Sequence, residues 1–225
     1  MKLKTPIIII NFKAYPESTG KKGLALAKKI EKAALKEKAN VAIAVQSTDI
    51  QMISSNVKIP VLAQHTDIEK QGAHTGKITA EAIKQAGAIG TLINHSEYNI
   101  SRGEVGEIIR RCKSLNLDTV VCAKNSDVAA KLSLFKPSFI AVEPPDLIGG
   151  EVSVTTANPK LISETVKKVY KTSEISVLCG AGVHTTEDVA ISLSLGAKGV
   201  LVASGVVKNK SPYKETLSLI KGIKK

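Results

Sequence analysis

The stretch Phe139-Ile140-Ala141-Val142-Glu143-Pro144-Pro145-Asp146-Leu147-Ile148-Gly149-Gly150 joins an apolar run, a carboxylate and a loop. The run Phe139–Val142 is too short for a helix and lacks polar alternation, so it reads as a strand buried on both faces. Seven more short apolar runs lie at residues 7–10, 41–45, 61–63, 91–93, 119–121, 176–178 and 199–202. They are rich in β-branched residues, as strands are.

Helical patterns separate the runs. Leu26, Ile30 and Ala33 follow one helix face, with Lys and Glu on the other. Thr79 predicts an N-cap before residues 80–86, and Gly87 a stop. Ser101 and Glu104 have the spacing of a capping box at the head of a helix ending near Leu115. Asn158-Pro159 opens another helix, and a further one over residues 185–195 ends at Gly196. Eight βα units without a break in composition predict one parallel sheet, either open and doubly wound or closed. Eight repeats in 225 residues match the length of a closed barrel, so the expected fold is a single-domain (β/α)8 barrel over residues 1–225.

Hydrophobic residues make up 43% of the chain, and there is no Trp, so the core is aliphatic. The net charge of +12 favours anionic partners, either phosphorylated metabolites or nucleic acid. Lys28, Lys29, Lys32 and Lys36 sit on a helical, solvated face, and no arginine-rich arm or aromatic interleaving appears, so nucleic acid is the weaker reading. Cys112, Cys122 and Cys179 are odd in number and far apart, which predicts neither a disulfide framework nor a structural zinc site and fits a reducing, cytoplasmic compartment. His65, His74, His95 and His184 show no metal-ligand spacing. The apolar residues 7–10 are too few for a signal peptide, and no stretch is long enough to span a membrane.

In a parallel barrel the chemistry gathers at the carboxyl ends of the strands. Lys13, His95 and Glu143 follow the first, fourth and sixth runs. They can supply a cation, a neutral hydrogen-bond donor and a carboxylate base. Taken singly, Lys13 reads equally well as a surface lysine and His95 more readily as a structural or exposed histidine, whereas for Glu143 a base outweighs a salt-bridged loop residue because of the sequence that follows it. Asn11 is placed to hold Lys13. A helical turn after His95 would favour its neutral form, and Glu97 is placed either to pair with Lys13 or to cap that turn. Residues 144–150 read as a lid, with two prolines at one hinge, an apolar tip and two glycines at the other. Gly180-Ala181-Gly182 and Ala203-Ser204-Gly205 offer small residues after the last two runs, where backbone N–H groups can approach an anion.

These residues together resemble the triosephosphate isomerase family, in particular its short archaeal branch. The resemblance runs nearly end to end and rests on Asn11-Phe12-Lys13, Gln64, Gly72-Ala73-His74-Thr75-Gly76, Asn94-His95-Ser96-Glu97, Ala141-Val142-Glu143-Pro144, Cys179-Gly180-Ala181-Gly182 and residues 199–204. It implies a TIM barrel that interconverts dihydroxyacetone phosphate and D-glyceraldehyde 3-phosphate through an enediolate, in glycolysis and gluconeogenesis. It implies Glu143 as the base, neutral His95 as the electrophile and Lys13 as the catalytic cation, with Asn11, Phe12 and Lys13 binding substrate. The main chain near Ile148, Gly149, Gly182, Ala203 and Ser204 would hold the phosphate, and Glu97 would support the site. No cofactor or metal is expected, and a homotetramer is expected in preference to a dimer. The chain departs from the longer bacterial and eukaryotic pattern in lacking the lid Trp, in Cys-Gly-Ala-Gly after the seventh strand and in Ala-Ser-Gly after the eighth. Two other classes compete: another phosphate-binding barrel, such as a pentose-phosphate epimerase or an indole-forming synthase, and a basic barrel that binds without turnover.

Overall fold

A computed structural model describes residues 2–144 and 159–224. Eight parallel strands close into a barrel in chain order: β1 (Ile7–Asn11), β2 (Asn40–Val45), β3 (Val61–Ala63), β4 (Gly90–Ile93), β5 (Asp118–Ala123), β6 (Phe139–Val142), β7 (Ser176–Cys179) and β8 (Gly199–Val202). The closure is the β1–β8 ladder, with Ile7 opposite Gly199 and Ile10 opposite Val202. The open, doubly wound alternative is thereby excluded. Helices stand between the strands, the longest at Gly20–Glu37, Arg102–Ser114, Pro159–Thr172 and Pro212–Lys224.

The caps form where the sequence places them. Thr79 accepts from Ala82 N at the head of Ala80–Gln85, and Ser101 with Glu104 forms a capping box at Arg102–Ser114. Gly87 and Gly196 adopt the positive φ that ends a helix. On Gly20–Glu37, Leu26, Ile30 and Ala33 are buried, and Lys28, Lys29, Lys32 and Lys36 are exposed. Asn158 lies outside the described residues. All three cysteines are buried and free.

Strand side chains alternate between faces, so each strand feeds two cores. Ile7, Ile9, Ala42, Ala44, Leu62, Leu92, Val120, Phe139, Ala141, Leu178 and Leu201 form the inner cluster that fills the barrel. Bulky side chains face alanines there, which leaves a packed interior and no pore. Ile8, Ile10, Val41, Ile43 and Val45 join the cluster beneath the helices.

The opposite, amino-terminal end of the barrel is closed by a polar knot. Asp118 is buried and accepts from Lys2 Nζ at 3.1 Å, Leu3 N at 2.9 Å and Ser138 Oγ at 2.9 Å. Asp118→Ala strands the Leu3 and Ser138 donors, so we expect a loss of about 2–4 kcal/mol of stability with little change in turnover. Urea unfolding beside a rate assay checks this, and an unaltered midpoint would contradict it.

Candidate active site

Strand parity decides which residues reach the barrel mouth. Ile7 and Ile9 face inward, so Asn11 follows them at the carboxyl end of β1. Phe139 and Ala141 lead in the same way to Glu143, and Leu201 leads to Ala203. Two adjoining cavities open there. Glu143 and residues 180–184 and 201–205 line one, Gln64, His65, Glu97 and Tyr98 line the other, and Asn11, Lys13 and His95 border both. Parity also takes Phe12 out of the set expected to bind substrate. It follows Ile8 and Ile10, is fully buried in the outer cluster and borders neither cavity.

Lys13 has a left-handed backbone, with φ of 48°. That conformation is uncommon for a residue with a side chain and is held only by its surroundings. Asn11 Oδ1 accepts from Lys13 N at 2.9 Å, and Gln64 Nε2 donates to Lys13 O at 2.9 Å. Gln64 also donates to Asn11 Oδ1 at 3.2 Å, which makes the three residues one unit. The Lys13 ammonium meets Glu97 Oε1 at 2.6 Å, so Glu97 pairs with Lys13.

No helix follows His95 directly. Tyr98 N donates to His95 O in a turn, and the next helix begins at Arg102. Burial lowers the His95 pKa most; Glu97 opposes this and Lys13 adds to it. The expected neutral form is thus favoured by burial, with no helix end required. The Glu97 backbone N–H donates to His95 Nδ1 at 3.1 Å. An accepting Nδ1 carries no proton, so the neutral ring bears its proton on Nε2. Nε2 lies 3.6 Å from Glu143 Oε1.

Glu143 is 3% exposed. Burial pushes its pKa up to about 7, against the Cys122 thiol, the Ser96 backbone N–H and the Lys13 charge, with Glu97 adding to the rise. Its Oε2 is buried without a hydrogen-bond partner among the described residues, which leaves a lone pair for a proton. Cys122 follows Val120 inward. Burial first, then the neighbouring Glu143 charge, pushes its thiol pKa well up, so it remains a donor.

Gly180 is a glycine for a reason that its own strand does not reveal. A Cβ there would stand 2.6 Å from Glu143 Cγ and 2.9 Å from Val142 O. Gly180→Ala must therefore displace the carboxylate. We expect kcat to fall by about 10²-fold, the cost of misplacing a reacting group by about 1 Å. Steady-state rates check this, and an alanine variant as fast as wild type would refute the contact.

At the far side of the same cavity, Gly182 adopts φ of 62°, and Ala203 precedes Ser204 with φ −141° and ψ −95°. Ala181, Gly182, Ala203 and Gly205, all small, line that side of the cavity. Ile148 and Gly149, the expected lid contacts, lie outside the described residues, as does the lid after Pro144. Sequence reading did not single out Gln64 and Cys122 as positioning groups, nor His184 as a lining residue. Inward parity after Leu62 and Val120 signals the first two. Among the described residues no cluster of three or more His, Cys, Asp or Glu could hold a metal ion, and no helix is long and apolar enough to cross a membrane.

The model for the family described as "Triosephosphate isomerase" matches residues 6–222. A triosephosphate isomerase of Methanocaldococcus jannaschii is 46% identical over 218 residues, 96% of this chain and 100% of the relative. One from Metallosphaera sedula is 42% identical over 220 residues, 98% of this chain and 96% of the relative. The crystal structure of triosephosphate isomerase from Bartonella henselae superimposes with a TM-score of 0.78, covering 99% of this chain and 100% of that one; at 19% identity it speaks to the fold.

Proposed function

The chain belongs to the triosephosphate isomerase family, and we propose how its residues carry the interconversion of dihydroxyacetone phosphate and D-glyceraldehyde 3-phosphate that it catalyses. The Glu143 carboxylate takes a proton from C1 of dihydroxyacetone phosphate, and the C–H electron pair becomes the C1–C2 double bond. The carbonyl oxygen gains negative charge, which the His95 Nε2–H and the Lys13 ammonium stabilise. A proton passes between the two enediolate oxygens by way of His95. Glu143 then returns its proton to C2 and recovers its charge. Nothing is consumed, so side chains suffice as acid and base. This family is itself a standard example of a carboxylate base beside a neutral histidine.

The observation that carries this reading is the buried Glu143 carboxylate, with its pKa near 7 and Oε2 unpartnered, 3.6 Å from the Nε2 of His95. A base works best when its pKa lies near the working pH. Asn11 and Gln64 hold Lys13 in place. The main chain at Gly182, Ala203 and Ser204, with Ile148 and Gly149 of the lid, would take the phosphate. A coupled assay on purified protein tests the reading: we expect turnover of glyceraldehyde 3-phosphate, and its absence would remove the assignment.

The whole chain reads as one catalytic unit, acting in the cytoplasm in glycolysis and gluconeogenesis. The resemblance to the short archaeal branch is what favours a homotetramer over a dimer. Light scattering at four times the chain mass would bear this out, and twice the chain mass would refute it.

A further inference from the structure

We infer that His184 is a phosphate-binding side chain of this active site, donating from Nε2 to the phosphate dianion of the substrate. The inference rests on the isomerase reading above and adds a residue to it. His184 stands two residues beyond Gly182 and lines the same cavity as Gly182, Ser204 and Gly205, which also reaches Glu143. Its Nε2 atom is buried and has no hydrogen-bond partner among the described residues. A buried ring nitrogen left unpaired is costly, and an anion entering the cavity supplies the acceptor it lacks.

The main chain of His184 is anchored from the opposite side. His184 N donates to Asp188 Oδ2 at 3.0 Å. The same oxygen accepts from Thr185 N at 2.9 Å and Thr185 Oγ1 at 3.0 Å, in the capping box of helix Thr186–Ser194. Asp188 thus occupies donors at that helix end, and His184, a lining residue of the cavity, keeps an Nε2 without a partner among the described residues. A hydrogen bond to a phosphate oxygen is charge-assisted, which makes it stronger than a neutral one.

The test compares wild type with His184→Ala and His184→Gln. For His184→Ala we expect KM for glyceraldehyde 3-phosphate and Ki for inorganic phosphate to rise together, each about tenfold, the worth of one hydrogen bond to a charged group. His184→Gln keeps an N–H donor and is expected to recover most of both. An alanine variant whose phosphate Ki equals that of wild type overturns the proposal. Wild-type protein gives a second readout that no folding defect can confuse. With the histidine rings isotopically labelled, inorganic phosphate should shift one imidazole signal that is missing from the His184→Gln spectrum; if no such signal moves, the proposal fails. The phosphate titration needs no turnover, so loss of the isomerase reading and loss of this proposal are separate outcomes.

Discussion

Replacing Glu143 with glutamine is expected to lower kcat for glyceraldehyde 3-phosphate by roughly 10³-fold, with KM little changed, because the amide has the carboxylate's shape and no basic lone pair. Glu143→Asp keeps the charge but draws it back by a methylene, which is expected to cost about 10²-fold. The carboxylate's pKa of about 7 adds a pH signature. Only the charged form accepts a proton, so kcat/KM should fall about tenfold per pH unit below about 7. The aspartate variant should move that limb, whereas titration of the substrate's own phosphate would leave it in place.

The same pKa is a stability statement. The ordinary value is 4.5 and the folded value about 7, so the folded chain holds a proton that the unfolded chain releases. Stability is therefore fully present below about pH 4.5 and falls as pH rises through 7. Above that the buried charge costs up to about 3 kcal/mol. Glu143→Gln is uncharged at every pH. Its Tm should exceed that of wild type by several degrees at pH 8 and converge with it near pH 4.5. Thermal melts at the two pH values decide this; a glutamine variant less stable at pH 8 would show that burial is not what raises the pKa.

His95→Gln is the second large effect, expected to lower kcat by about 10²-fold. Glutamine can still donate a hydrogen bond to the carbonyl, but it cannot pass a proton between the enediolate oxygens. The ring also depends on the Glu97 backbone N–H, which holds Nδ1 without a proton and so directs the proton on Nε2 toward the site. Single-turnover rates with both substrates check this. A variant as fast as wild type would assign the proton shuttle elsewhere.

All eight strands were legible as apolar runs because each is buried on both faces, one toward the barrel and one toward the helices. β5 runs one residue further at its start and two further at its end than its apolar segment suggests, since Asp118 serves the polar floor and Cys122 sits beneath Glu143. That Glu143, His95 and Lys13 meet at the barrel mouth was legible from their places after strand ends. Phe12 was misplaced because adjacency to Asn11 counts for less than the two-residue period, which turns neighbours to opposite faces. The two glycines after β7 look alike in sequence. Gly182 needs its positive φ, whereas Gly180 clears space for a carboxylate on the neighbouring strand. Such a contact joins residues far apart in the chain, and no local pattern encodes it. The lowered pKa of His95 was legible in direction, but its cause is burial, which only packing reveals.

The most direct test of Glu143 as the base is a crystal structure with a phosphorylated hydroxamate mimic of the enediolate. A Glu143 carboxylate oxygen is expected within about 3 Å of the mimic's carbon-equivalent atom, with His95 Nε2 at hydrogen-bond distance from its oxygens. A bound mimic whose reacting atoms lie against another acid or base, with Glu143 still facing Gly180 and Cys122, would contradict it.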